Sequence, residues 1–164
     1  MALMAYEGIG REIVARLKYA NARSSLAWLA DGMAALVLAA VDTPQFDVVT
    51  WIPTTPQRRR QRGFDHGQLL ARAVARRIGR PCPRLLVRLP GPPQTGHTRA
   101  ERLLGPRLIV TRVRPRSRVL LVDDVVTTGT TMTAAARALA DHGVDDIGAV
   151  VAARCRAPGA QAGR

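Results

Sequence analysis

The stretch Val119-Leu-Leu-Val-Asp-Asp-Val-Val-Thr-Thr-Gly-Thr-Thr131 is the strongest indication of the fold in this chain of 164 residues. Apolar residues lead into two adjacent acids, Asp123 and Asp124, and a hydroxyl-rich turn with one glycine follows. A segment with helical spacing comes next, at residues 132–142. Strand, turn and helix in this order are typical of an α/β domain. In such a domain the acid pair lies at the carboxyl end of a buried strand, where ligands bind.

The turn from Thr127 to Thr131 suits a phosphate group. Backbone N–H groups and hydroxyls at a helix N-terminus bind anions. Two carboxylates beside such a turn can bind ribose hydroxyls or the water shell of Mg²⁺. The pattern therefore predicts a sugar-phosphate site. An ordinary buried strand with a polar turn is the alternative, and it leaves the two adjacent acids unexplained.

Length and composition indicate one domain, because 164 residues can bury a core of their own. The apolar segment from Leu26 to Val41 is too short to span a membrane and contains Asp31. We therefore expect a cytoplasmic protein. Cys82 and Cys155 form no Cys-x-x-Cys pair, so the sequence indicates neither a zinc site nor a disulfide framework.

The formal net charge is +13, and all 25 basic residues except Lys18 are arginine. This bias is typical of a GC-rich coding sequence. An anion-binding surface for polyphosphate or nucleic acid is the alternative. The chain has only two Phe, two Tyr and two Trp, which offers few platforms for base stacking. We therefore favour a coding bias combined with a local phosphate site.

Hydrophobic spacing predicts alternating helices and strands along the chain. Asp65 is a predicted helix N-cap with Gln68 at the third helical position, and Gly79 ends that helix. An arginine-rich loop is predicted at 53–64 and a polar segment at 90–106. Helices are predicted at 9–18, 24–40, 65–78 and 132–142, and strands at 46–52, 85–89, 108–111, from 119 onwards, and 147–152.

The stretch from Val119 to Thr131 resembles, along its whole length, the 5-phosphoribosyl-1-pyrophosphate (PRPP) signature of type I phosphoribosyltransferases. Further motifs are similar to those of the ComF subfamily over residues 6–153. They are Tyr6-Glu7-Gly8, Leu17-Lys18-Tyr19, Pro53, Arg62-Gly63-Phe64, Gln94 and Glu101-Arg102. The resemblance implies a type I phosphoribosyltransferase-like α/β fold with a mostly parallel central sheet flanked by helices. One domain would cover residues 1–156, with a small helical hood at 1–45, and residues 157–164 would form a disordered tail.

The resemblance also implies roles for individual residues. Asp123 and Asp124 would be catalytic and would bind Mg²⁺, mainly through PRPP and water. The PRPP-binding residues would be Asp123, Asp124, Val125, Val126, Thr127, Thr128, Gly129, Thr130 and Thr131. Pyrophosphate would be bound by Arg58, Arg59, Arg62 and Gly63, although a run of arginines is more often a solvated face.

Residues 90–106 would form a flexible loop that closes over PRPP, with Gln94, Arg99 and a catalytic Arg102. An exposed hairpin without ligand contacts is the alternative.

Three departures from the ComF pattern stand out. The chain lacks the four-cysteine zinc module with which many ComF-like proteins open. Asp65-His66 replaces the usual amide-rich pair, and Gly105 replaces an asparagine. The last two changes weaken the assignment of catalytic roles to loop residues.

Three functions are compatible with these observations. The first is transfer of a phosphoribosyl group from PRPP to a nitrogen nucleophile, a nucleobase or another amine, with release of pyrophosphate. The second is a non-catalytic PRPP-binding ComF-like protein that acts in DNA uptake through a competence helicase or single-stranded DNA. The third is a plain nucleic-acid-binding protein. The apolar helical segment from Leu26 to Val41 also suggests a homodimer face.

Overall fold

The computed structural model describes residues 1–17, 23–40, 46–89 and 105–155. Its six strands are β1 (Ala2–Ala5), β2 (Val48–Trp51), β3 (Leu86–Arg88), β4 (Leu108–Val110), β5 (Arg118–Val126) and β6 (Asp146–Arg154). Four of them form a parallel sheet in the order β1-β6-β5-β2. The other two, β3 and β4, form an antiparallel pair.

Helices cover both faces of this sheet. They are α1 (Gly8–Leu17), α2 (Arg23–Ala39), α3 (Pro56–Arg62), α4 (His66–Arg77) and α5 (Thr130–Ala140). Alternate residues of β5 enter different cores. Leu120 and Val122 pack with residues of α1, α2 and α4. Val119 and Leu121 pack with residues of α5 and the β3–β4 pair. The predicted α/β fold with a mostly parallel sheet is thereby confirmed. Among the described helices, none has the length and apolar character needed to cross a membrane.

Strand β1 was not predicted from the sequence. Its four residues, Ala-Leu-Met-Ala, are too few to show a strand period, and pairing with β6 forms the strand. Leu3 packs against α2 at Gly32, where an added Cβ would lie 2.8 Å from the Leu3 Cδ1 atom. The N-terminal region therefore contributes an edge strand to the sheet as well as the two predicted helices. Its role as a hood stays a prediction.

The prediction of a loop at 53–64 is wrong over most of its length, because α3 occupies Pro56–Arg62. Pro56 is in the first helical position, where its missing N–H costs nothing. The Arg59 N–H donates to the Thr55 carbonyl at 2.9 Å, and the arginines and glutamines that follow are good helix formers. Gly63, with φ at +77°, ends the helix in the left-handed region. Arginine richness is compatible with a helix as well as with a loop.

Helix α4 forms as predicted. The Asp65 carboxylate accepts the Gln68 N–H at 3.4 Å, and Gly79 adopts φ of +65° after the last turn. Leu70 and Val74 are fully buried. The predicted flexible loop, apart from Gly105 and Pro106, and the predicted tail lie outside the described residues.

Candidate functional site

The acid pair lies at the carboxyl edge of the sheet. In the register of β2 and β5, Trp51 is level with Val122, and the Ile52 N–H donates to the Val122 carbonyl at 3.4 Å. Asp123 and Asp124 are the next two residues of β5 after Val122. The chain leaves β2 through Pro53 at the same level. The acids and the loop after β2 therefore lie side by side.

Each acid is held by the backbone that follows it. The Asp124 N–H donates to the Asp123 Oδ1 atom at 2.9 Å, and the Val125 N–H donates to the Asp124 Oδ1 atom at 2.8 Å. Desolvation raises the pKa of Asp123 well above its usual value, and the neighbouring charges of Asp124 and Asp65 raise it further. A cation or a hydroxyl donor at this point would offset the repulsion between the carboxylates.

The threonine-rich turn connects the acid pair to α5. Gly129 adopts φ of +80°, and its carbonyl accepts the Thr133 N–H at 2.9 Å, which starts the helix. The hydroxyls of Thr128 and Thr130 are hydrogen-bonded to each other at 2.9 Å. An added Cβ at Gly129 would meet nothing within 4 Å, so the turn has open space beside it. The first N–H groups of α5 have no acceptor within the helix, and they suit an anion.

A cleft of about 150 Å³ lies next to the loop after β2. Three arginines line it: Arg59 of α3, Arg84 just before β3, and Arg88 at the end of β3. Trp51, Thr54, Asp65 and Gln68 complete the polar part of its wall. Three guanidinium groups around a small cleft suit a polyanion such as pyrophosphate.

Asp65 links the cleft to the acid pair. Its Oδ2 atom accepts the Thr54 N–H at 3.2 Å, and its Oδ1 atom caps α4. The side chain is only 8% exposed, and its charge contributes to the raised pKa of Asp123. One carboxylate therefore holds the loop after β2 against α4 and also acts electrostatically on the acid pair.

The structure brings most of the predicted site residues to one edge of the sheet. Residues Asp123 to Thr131 are contiguous there, and Arg59 lines the neighbouring cleft. The side chains of Arg58 and Arg62 fall outside the described part, as do Gln94, Arg99 and Arg102 altogether. Sequence reasoning missed Arg84 and Arg88. Arg84 directly precedes the strand predicted at 85–89 and Arg88 lies within it, but the sequence does not show which way that strand faces.

Gly105, the first residue of the described range 105–155, packs on α5. It adopts φ of +73°, and an added Cβ would lie 3.2 Å from both the Thr130 carbonyl oxygen and the Ala134 Cβ atom. A side chain at this position would adopt a strained left-handed backbone, and its neighbours would have to shift by a few tenths of an ångström. Glycine avoids both costs.

The donor set at the acid pair limits the metals that it could hold. Within residues 1–17, 23–40, 46–89 and 105–155, no group of three or more His, Cys, Asp or Glu side chains is placed to hold a metal ion. Mg²⁺ usually keeps several waters and is bound by one or two carboxylates together with substrate phosphates. Asp123 and Asp124 fit a Mg²⁺ ion of that kind, held mainly by a phosphorylated substrate.

The sequence profile of the phosphoribosyl transferase domain matches residues 65–161, more than half of the chain. The chain belongs to the phosphoribosyl transferase family. The match includes α4, the acid pair, the threonine-rich turn and α5. The predicted membership of the type I phosphoribosyltransferases is confirmed.

One curated relative of this phosphoribosyl transferase domain is competence protein ComFC of Bacillus subtilis (strain 168). The two are 34% identical over 98 residues, which are 58% of this chain and 39% of that protein. The chain thus spans well under two thirds of that relative. The similarity supports the ComF-like resemblance.

Solved structures show the same fold. The glutamine phosphoribosylpyrophosphate amidotransferase of B. subtilis matches with a TM-score of 0.58 at 21% identity, over 87% of this chain and 30% of that one. The purine phosphoribosyltransferase of Pyrococcus horikoshii Ot3 matches with a TM-score of 0.53 at 15% identity, over 87% of this chain and 93% of that one.

Proposed function

We propose that the chain binds PRPP together with Mg²⁺ and transfers its phosphoribosyl group to a nitrogen nucleophile, with release of pyrophosphate. One arrangement carries this proposal. Two residues of β5, Val125 and Val126, connect the acid pair to a threonine-rich turn at a helix N-terminus, and Asp65 joins the neighbouring three-arginine cleft to the acid pair. These are the three anion and hydroxyl contacts that a phosphorylated ribose with a pyrophosphate needs.

Each part of the substrate would have its own partner. The 5′-phosphate would be bound by the hydroxyls and N–H groups from Thr127 to Thr131, where Gly129 leaves room for it. The ribose hydroxyls would be bound by Asp123 and Asp124. The pyrophosphate would be bound by the cleft arginines Arg59, Arg84 and Arg88, in addition to the sequence-predicted Arg58 and Arg62.

The reaction would exchange one bond at C1 of the ribose. The bond from C1 to the pyrophosphate oxygen breaks, its electron pair leaves with pyrophosphate, and the nitrogen lone pair forms the new bond. The cleft arginines would stabilise the negative charge on the leaving group. Bound Mg²⁺ would supply further charge neutralisation. Closure by Gln94, Arg99 and Arg102 stays part of the proposal.

A second candidate is a PRPP-binding protein without turnover that acts in DNA uptake. The similarity to competence protein ComFC favours this candidate. Gly105 also favours it, because it replaces the loop asparagine of the ComF pattern. Its partners would be a helicase or single-stranded DNA. The two candidates share the pocket and differ in whether pyrophosphate is released.

Calorimetric titration of PRPP with Mg²⁺ tests the pocket. We expect saturable binding to the wild-type chain and none to Asp123→Asn/Asp124→Asn. The single variant Asp124→Asn should weaken binding tenfold or more, about 1.4 kcal/mol, because a charged acceptor is lost. Asp141→Asn/Asp145→Asn is the matched control, since both acids are exposed and lie beyond the last turn of α5. Binding that survives in the acid-pair variant would overturn the proposal.

The cleft is tested separately with Arg84→Gln. We expect weaker binding of PRPP and of pyrophosphate, but unchanged binding of ribose 5-phosphate, which carries no pyrophosphate. Arg112→Gln, an exposed arginine after β4, is the control. A screen of nucleobases and amines for pyrophosphate release then separates the two candidates. Release supports the transferase, and binding without release supports the second candidate.

A further inference from the structure

Helix α2 has an apolar face that the described part of the chain does not cover. Leu29, Met33 and Val37 point into the core. On the other side Trp28 is 54% exposed and Leu38 is 68% exposed. The exposed stripe of α2 consists of Ala27, Trp28, Asp31, Ala35, Leu38 and Ala39. A helix that is apolar on nearly all sides is normally covered on more than one side.

Helix α4 packs beside α2. Arg77, the last residue of α4, forms a salt bridge with Asp31 and donates from its Nη2 atom to the Ala27 carbonyl at 3.2 Å. The same side chain donates from Nη1 to the Ala73 carbonyl at 3.0 Å. The end of α4 is therefore fastened to the start of α2. The exposed residues that precede Arg77 on α4 therefore border the α2 stripe near its start.

The exposed residues of α4 are Leu69, Arg72 and Arg76, at helical spacing on one side. In the part of the chain that the structure describes, neither arginine has an ion-pair or hydrogen-bond partner. Asp31 is the acid within the α2 stripe, and Arg77 already neutralises it, as the lowered pKa of Asp31 also indicates. The surface is thus an apolar strip with two unmatched cations along one border.

We propose that this surface, the α2–α4 face, binds an amphipathic helix of a partner protein that carries acidic residues along one border of its apolar side. The apolar side would pack on Trp28, Leu38 and the alanines between them. The acidic border would meet Arg72 and Arg76. Helix α2 has 17 residues and is therefore about 25 Å long, which matches four to five turns of a partner helix. The proposal does not depend on PRPP binding.

Charge and shape separate this occupant from two others. A second copy packed with α2 antiparallel on α2 would bring α4 against α4, and the arginines of both chains would repel each other. A lipid surface is bound through large apolar side chains. The α2 stripe is instead rich in alanine, with Trp28 and Leu38 as its large side chains, and small residues allow another helix backbone to approach closely.

The test uses the full chain and two synthetic amphipathic helices with the same leucine face. One carries glutamates and the other lysines along its border. Trp28 is the reporter, because the second tryptophan, Trp51, is only 4% exposed. We expect the glutamate peptide to shift the Trp28 emission to the blue and to bind at least tenfold more tightly than the lysine peptide. Trp28→Phe should lose the shift.

A charge exchange makes the test specific. Arg72→Glu/Arg76→Glu should reverse the preference, so that the lysine peptide binds more tightly. Arg112→Glu/Arg114→Glu changes the net charge by the same amount at two exposed arginines elsewhere and should leave the preference unchanged.

Several results would overturn the proposal. One is the absence of a shift with either peptide, and another is an equal effect of the two double variants, which would show that only net charge matters. A dimer of the free chain that dissociates in Leu38→Glu on sedimentation would identify a second copy as the occupant. Phosphatidylglycerol vesicles that shift Trp28 when the peptides do not would identify a lipid surface.

Discussion

Ionisation of the buried Asp123 carboxyl is unfavourable in the folded chain without a bound cation or ligand. Desolvation and the charges of Asp124 and Asp65 raise its pKa, so ionisation of this carboxyl opposes folding. Native proteins accept such costs where a ligand later offsets them. The acid pair is therefore better explained by binding than by stability.

The pH dependence of stability follows from this shift. The unfolded carboxyl ionises near 3.8, whereas the folded one ionises only at higher pH. Folding stability is therefore lost as pH rises from the unfolded pKa to the folded pKa, and the loss is absent below the unfolded pKa. Without metal or PRPP, Asp123→Asn should unfold at higher denaturant concentration than the wild type at pH 7, and the difference should vanish at acid pH.

Asp47→Asn is a control in which the effect on stability at pH 7 should have the opposite sign, because the pKa of Asp47 is lowered. The Arg118 N–H donates to the Asp47 Oδ2 atom at 2.8 Å and lowers the pKa of that carboxyl. The stability that this contact contributes is present above the unfolded pKa and is lost as pH falls through the folded pKa. Asp47→Asn should therefore destabilise the chain at pH 7. An Asp123→Asn variant that is also less stable at pH 7 would contradict the account of Asp123.

Gly129 allows a second test at single-residue scale. Gly129 and Gly79 both have positive φ, +80° and +65°, and neither would meet an atom within 4 Å if a Cβ were added. Each change to alanine should cost about 1 kcal/mol of unfolding free energy from backbone strain. We expect Gly129→Ala alone to weaken PRPP binding, as measured by calorimetry. Equal effects of both variants on PRPP binding would show that the turn is not a phosphate site.

Among the elements, β6 packs closely on the segment before β2, because Gly148 has no side chain and leaves space for the Phe46 ring. An added Cβ at Gly148 would lie 2.6 Å from the Cε1 atom of the buried Phe46 ring. Gly148→Ala should therefore lower the unfolding free energy by about 3 kcal/mol, measured by urea denaturation, because the core has no space to absorb a methyl group. The loss should shrink in a Phe46→Ala background. If the losses of unfolding free energy in the two single variants simply add in the double variant, the strain does not arise from contact with Phe46.

Helix α3 shows how an element depends on its ends. Pro56 starts it, Gly63 ends it, and neither position needs a long-range contact. Its arginines are then presented on a short rigid element, and Arg59 reaches the cleft. A helix holds such a side chain more precisely than the loop that the sequence suggested.

At the scale of the whole molecule, β5 and β6 form the centre of the sheet. Each has a parallel neighbour on both sides, and helices cover both faces. We expect amide hydrogen exchange to be slowest in residues 119–122 and 150–152 and faster in the edge strand β1. Equal protection of β1 and β5 would contradict the assignment of β1 as an edge strand.

Sequence patterns predicted the elements that depend on local signals. The cap of α4, its apolar stripe and the succession of β5, turn and α5 all lie within short windows. Strand β1 has four residues and forms only by pairing with β6, more than 140 positions away. Arg84 and Arg88 reach the cleft because of the way the β3 segment faces in the packed structure. These features need long-range contacts, which a local pattern does not contain.

The order of residues along the chain is enough to keep Asp123 and Asp124 near the threonine-rich turn, because only Val125 and Val126 separate them. The gathering of Arg59, Arg84 and Arg88 around one cleft depends instead on the packing of distant elements, as does the position of α4, with Arg72 and Arg76, beside α2. The physical reason is that burial of apolar side chains on two faces of the sheet sets how the elements pack. Polar residues distant in sequence become neighbours as a consequence of that packing.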